Sequence, residues 1–179
     1  MGLTGKNNEE KAWNFLKGKI KNDFGVSGLM GELFAESGLN PQNLQNSYEK
    51  KLGFTDATYT AAVDSGSYAN FVHDSAGYGV AQWTFWSRKE ALLNYVRALG
   101  ASIGDLEAQL GFLYKELSES YPSVLAALKT ATSVRAASDK VLTDFERPAD
   151  QSEAVKIKRA SYGQTYYDKY AKAAASTPS

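Results

Sequence analysis

No cysteine occurs among the 179 residues, which excludes disulfides, thiolate nucleophiles and cysteine-based zinc sites while leaving the redox compartment open. A single histidine, His73, excludes a multi-histidine metal centre. Charge of one sign is also lacking: twenty basic residues face twenty acidic ones, so no overall field recruits nucleic acid or an anionic membrane. No apolar run approaches the roughly 18 residues of a membrane span. The polar start Met1-Gly-Leu-Thr-Gly-Lys-Asn-Asn has no apolar core of the signal-peptide kind. Internal repeats, a coiled-coil register and strand-rich stretches are absent as well.

What remains is a chain with 43% apolar residues, enough for one real core, and eleven tyrosines and three tryptophans. Ala12, Leu16, Ile20 and Phe24 recur at helical spacing, which predicts a helix over 8–23 with Asn7 and Glu10 as a capping box and Gly25 as its stop. A second helix, capped by Ser27 and carrying Leu29, Met30, Leu33 and Phe34, should end at Gly38 with Pro41 beyond. Further helices are expected over 56–64, 88–99 (capped by Ser87 with Glu90), 103–119, after Pro122, 134–146 and 151–171 (capped by Asp150 with Glu153). Residues 42–86, rich in Asn, Gln, Ser, Gly and Tyr, read as functional loops. The expected fold is therefore mainly α, a compact helical bundle with at most a small β-hairpin between 42 and 86 lining a binding cleft. Residues 1–6 read as a disordered or non-native start, 7–171 as a single domain and 172–179 as a flexible tail or linker.

Chemistry concentrates at Glu36. At about 100° per residue it falls about 20° from Leu29, at the edge of the apolar stripe and in the last helical turn. Partial burial, Glu32 one turn earlier and the negative end of the helix dipole all favour a carboxyl that keeps its proton and can donate it to a leaving oxygen. Glu32 falls further round toward solvent. The segment Gly77-Tyr78-Gly79-Val80-Ala81-Gln82-Trp83 lets backbone approach a ligand closely, and Asp74 before it is the natural second carboxylate. Asp64, Glu49 and Asp56 share the region. Gln82 offers a donor and an acceptor to hydroxyl and acetamido groups, Tyr78, Trp83 and Trp86 offer rings on which a sugar can stack, and His73 is a candidate proton shuttle.

Glu36-Ser37-Gly38-Leu39-Asn40-Pro41, followed by Gly77-Tyr78-Gly79-Val80-Ala81-Gln82-Trp83-Thr84, resembles the phage tail lysozyme family of the lysozyme-like superfamily. The likeness extends from Ala12-Trp13-Asn14-Phe15-Leu16 and Gly31 through Tyr48–Gly53 and Tyr59–Asp64 to Phe145-Glu146-Arg147-Pro148, roughly residues 10–150. The first segment is also similar to the catalytic helix end of soluble lytic transglycosylases and goose-type lysozymes, whose Gly-x-x-Gln segment stands where Gly79-Val80-Ala81-Gln82 stands here. The resemblance implies an α+β lysozyme-like fold and peptidoglycan as partner and substrate, cut at the β-1,4 bond between its amino sugars. Hydrolysis, lytic transglycosylation and endo-N-acetylglucosaminidase action stay open, as does a non-catalytic wall-binding or tail-structural module. Glu36 would be the acid and Asp74 its catalytic companion, with Gln82, Tyr78, Trp83, Gly79, Glu32 and Ser37 lining the substrate. Family members often carry Asn in place of Glu32, which makes Glu32 a modulator of Glu36. Glu146 and Arg147 read as a structural pair. Neither metal nor cofactor is required. The expected setting is a phage tail, or release to the cell wall, with the domain a monomeric part of a larger phage-derived or secreted protein.

Overall fold

The computed structural model describes residues 2–172; the expected tail from 173 on and Met1 lie outside the described residues. The described residues divide into two compact units, one built from residues 2–35 and 114–172, the other from 36–113. The boundaries fall inside α2 (Asp23–Ser37) and α6 (Leu106–Glu119).

In the first unit, α1 (Asn8–Ile20) starts on Asn7, whose side chain accepts from the Glu10 amide, and stops at left-handed Lys21. Gly25 therefore does not close it. The next helix already begins at Asp23, with the Asn22 side chain accepting from the Gly25 amide, and Ser27 is a fully buried interior residue rather than a cap. The reason is packing. Gly25, Gly28 and Gly31 recur every third residue along α2, and a Cβ on them would meet Leu128 O at 2.0 Å, Ala137 Cβ at 2.6 Å and Gly163 N at 2.5 Å. Glycine at these positions admits α7 (Pro122–Lys129), α8 (Val134–Val141) and α9 (Glu153–Tyr166) onto α2 at backbone distance. Val26, Leu29, Met30 and Leu33 of α2 and Val124, Leu128, Ala137, Val141 and Phe145 of the later helices are all buried in this unit. α8 continues as a π-helical turn, Leu142–Glu146, that ends at left-handed Arg147, and α9 as Tyr167–Lys172. Ser152 accepts from Val155 N to start α9, the place expected for Asp150. Thr4 O accepts from Asn14 Nδ2, which holds the start of the chain to α1.

The second unit holds the end of α2, α3 (Asn46–Leu52), α4 (Asp56–Ser65), α5 (Trp86–Ala98) and the beginning of α6. α3 is not foreseen from periodicity because it is short and buries no residue. α4 opens on a reciprocal Thr55–Thr58 capping box. α5 starts at Trp86 behind Phe85, with no side-chain cap, so Ser87 does not begin it. Asp105 Oδ2 accepts from Ala108 N and starts α6. The expected hairpin reduces to isolated bridges, Leu44 with Tyr78 and Tyr78 with Trp83, and no strand forms among the described residues. Tyr59, Phe71, Tyr78, Val80, Trp83, Leu92, Val96 and Leu110 make up its core.

Candidate active site

Glu36 occupies the last turn of α2 and is half-exposed. Beyond it the chain turns sharply through two left-handed residues, Gly38 (φ 62°) and Leu39 (φ 63°). Leucine at such an angle costs about 1–2 kcal/mol, and Ser37 offsets part of it. Its buried Oγ accepts from Leu39 N (3.1 Å) and donates to Val80 O (2.8 Å). One hydroxyl thus joins the glutamate's helix end to the middle of the glycine segment. Ser37 is consumed by that task, so it does not face a ligand as expected.

The glycine segment is a closed loop. Tyr78 and Trp83 exchange backbone hydrogen bonds of 3.1 and 2.9 Å, and the residues between them swing out through Gly79 (φ 83°) and Gln82 (φ 52°). The strip 43–45 carries it from below: Gly79 N reaches Asn43 O (3.0 Å), Gln45 N reaches Gly77 O (2.8 Å) and Gly77 N reaches Gln45 Oε1 (2.9 Å). From the other side Gln109 of α6, fully buried, accepts from Val80 N (3.0 Å) and donates to Pro41 O and Ile103 O (2.7 Å each). A Cβ on Gly79 would meet Gln109 Oε1 at 2.8 Å, which is why glycine stands there. Gln82 keeps its amide at the loop, Nε2 donating to Asn43 O (2.8 Å) and Gly79 O (3.1 Å), while Oε1 accepts no hydrogen bond among the described residues.

Several residues named from the sequence lie elsewhere. Tyr78 is fully buried with its hydroxyl 2.5 Å from Thr60 Oγ1, and Trp83 is fully buried edge-on against Phe112, 5.6 Å between ring centres. Neither ring offers a face to a sugar. Glu32 is not turned to solvent but enclosed in the first unit, where Arg159 Nη1 (3.1 Å) and Ser138 Oγ (2.9 Å) hold it. Its charge is compensated there, and the side chain is enclosed rather than open to a ligand.

Asp74 is likewise enclosed, its side chain 1% exposed. Oδ2 accepts from Tyr59 (2.6 Å) and Tyr68 (2.9 Å), and Oδ1 from Ala76 N (2.9 Å) and from Lys89 Nζ (2.6 Å). Lys89 is itself fully buried, donates also to Ala76 O (2.7 Å), and lies 4.3 Å from the Phe71 ring centre. Burial pulls the Lys89 ammonium below its usual range against the opposing pull of Asp74, and burial with Asp74 beside it pushes the Tyr59 phenol far above its ordinary value. The pair anchors the entry to the glycine loop. Asp56 bonds Leu44 N (2.9 Å), and Asp64 bonds Ile103 N (2.8 Å) and Ser102 Oγ (2.5 Å), so both are structural as well. Glu49 on α3 is half-buried and holds no side-chain hydrogen bond among the described residues.

Two residues missed from the sequence, Gln109 and Lys89, do most to shape the loop. Lys89 left a readable sign: it stands three residues before Leu92 and seven before Val96, on the apolar stripe of α5, where a solvated lysine does not belong. Gln109 left none.

The chain is mainly helical, with a half-exposed glutamate at a helix end that the next residue ties to a glycine loop carrying an open amide oxygen. The chain belongs to the phage tail lysozyme family, whose model matches residues 7–170. Membership implies a lysozyme-like enzyme acting on peptidoglycan and fits association with a phage tail. No curated protein and no solved structure matches the chain. No helix among the described residues is long and apolar enough to cross a membrane.

Proposed function

We propose that this protein cleaves the glycan strand of peptidoglycan at the β-1,4 bond between amino sugars, with Glu36 as general acid. The observation that carries the reading is the Ser37–Val80 hydrogen bond, which keeps the Glu36 helix end against the glycine loop. The last helical turn supplies partial negative charge, a setting in which a carboxyl retains a proton to give. Glu36 passes that proton to the bridging oxygen as the bond from this oxygen to the anomeric carbon breaks, and the leaving sugar departs as an alcohol. Gln82 Oε1 accepts from a neighbouring acetamido N–H or hydroxyl group.

The incoming oxygen decides the product. Water gives a free reducing end and the substrate's own hydroxyl an anhydro end. Enclosure of Asp74 by Lys89, Tyr59 and Tyr68 favours the second route over an Asp74-assisted hydrolysis, because that carboxylate has no lone pair left to position water. If water attacks, Glu49 replaces Asp74 as the companion carboxylate. Digestion of purified peptidoglycan, read by turbidity and by mass spectrometry of the fragments, tests both points. Glu36→Gln should slow clearing by about 10²–10⁴-fold, and a Glu36→Gln variant clearing walls at the wild-type rate contradicts the assignment. Binding to peptidoglycan with no cleavage by the unmutated protein would make it a wall-binding module instead.

A further inference from the structure

Of the three rings expected to stack on sugar, Tyr78 and Trp83 are buried, but Trp86 is 48% exposed and its chain neighbour Phe85 61%. They follow the glycine loop directly in the chain, and their rings lie 6.1 Å apart, tilted by 36°. His73 stacks on Trp86 at 5.8 Å and 28°, backing the indole. Phe85 also takes the helix-capping position of α5, where a Ser, Thr, Asp or Asn would bond the amides. An aromatic at a cap gives up that hydrogen bond, and an exposed indole and phenyl side by side give up apolar burial, so neither choice serves the fold.

Gln82 and Thr84, which lead into the pair, are polar and uncharged. Around the bare face of Gly77, a Cβ would meet Gln82 Oε1 at 2.8 Å and Gln45 Oε1 and Thr84 Oγ1 at 3.2 Å each. Thr84, the residue before Phe85, donates from Oγ1 to Gln82 O (2.9 Å), which fixes the start of the aromatic pair to the loop. Rings adjoining a cluster of amide and hydroxyl oxygens suit a pyranose, whose C–H face is apolar and whose rim carries hydroxyl and acetamido groups. Exposed Thr84, Ser87 and Glu90 bound the patch, so its apolar part is two residues wide. A stable dimer needs about 1,200–2,000 Å² of buried surface, far more than two rings provide.

We propose that Phe85 and Trp86, backed by His73, form a stacking subsite for one amino sugar of the glycan strand. The assignment rests on the glycan-cleaving reading and adds to it where the strand lies. Of the three tryptophans, Trp13 is 5% and Trp83 0% exposed, so Trp86 alone reports contact with solvent. Titrating the Glu36→Gln variant with soluble oligomers of N-acetylglucosamine should give a saturable change in tryptophan emission that is lost when Trp86→Ala is added. In the otherwise unmutated enzyme, Trp86→Ala and Phe85→Ala should each raise KM by roughly three- to tenfold, with kcat within about twofold and melting unchanged; Trp86→Tyr should restore most of the affinity. Unchanged emission on titration, or an unchanged KM in Trp86→Ala, overturns the subsite. A shift that depends on protein concentration, with dimers in sedimentation, overturns it in favour of a second copy. Activity surviving Glu36→Gln would strike the catalytic reading, while the emission titration would still report on the subsite.

Discussion

Glu36 and Asp74 are carboxylates of the same compact unit, each beside a glycine-containing segment, and their surroundings are opposite. Glu36 stands half-exposed at a helix end that Ser37 ties to Val80. The Asp74 side chain is 1% exposed and accepts from two phenols, one amide and one buried ammonium. A carboxylate whose lone pairs are all committed holds structure together; one at the surface of a helix end can exchange a proton with a ligand. On the proposed reading, this difference assigns the chemistry to Glu36 and the scaffolding to Asp74 more sharply than residue type or motif position does.

The comparison breaks most visibly at Lys89. Replacing it with Met leaves Asp74 buried and unpaired, which should cost about 3–5 kcal/mol in chemical unfolding; adding Asp74→Leu should recover much of that loss, because a buried apolar pair replaces a buried charge. Recovery of nothing by the double variant would mean that the pair does more than hold the loop entry.

Gly79→Ala comes next. It combines φ 83° with a Cβ at 2.8 Å from Gln109 Oε1, so a loss of about 1–3 kcal/mol is expected together with reduced activity. Wild-type stability in that variant would show that the loop relaxes away from Gln109.

The smallest effect belongs to the first unit. Burial raises the Glu9 carboxyl, but hydrogen bonds from Lys169 and Tyr170 and the Lys169 charge outweigh it and hold Glu9 below its usual 4.5. A depressed carboxyl adds stability above its unfolded value and loses it as pH falls through the folded one, so this contribution should be present at neutral pH and vanish on acidification below 4.5. Glu9→Gln should cost about 0.5–1 kcal/mol at pH 7 and progressively less as the pH is lowered through the acid range, measured by urea unfolding across that range.

Periodicity was enough to place most helices, because α1 and α6 each bury a stripe that repeats at helical spacing, Ala12, Leu16 and Ile20 in one and Leu106, Leu110, Leu113 and Leu117 in the other. It failed where long-range packing decides. Ser27 looked like a cap because nothing local says that Gly25, Gly28 and Gly31 are wanted for helix contact. Asp74, Tyr78 and Trp83 looked exposed because Gly-rich, polar stretches usually are. Their partners are remote in sequence: Lys89 lies 15 residues after Asp74, Phe112 lies 29 after Trp83, and Thr60 lies 18 before Tyr78. The helix-end position of Glu36 was therefore readable, and the enclosure of Asp74, Tyr78 and Trp83 among a loop and later helices was not.

The most direct test measures glycan release and thermal unfolding on the same preparations of Glu36→Gln and Asp74→Asn. The account predicts opposite patterns. Glu36→Gln should melt like the unmutated protein and release glycan about 10²–10⁴-fold more slowly, whereas Asp74→Asn should melt well below it, with the folded fraction keeping activity within about tenfold. An Asp74→Asn variant that melts normally and is inactive, beside an active Glu36→Gln, would contradict it.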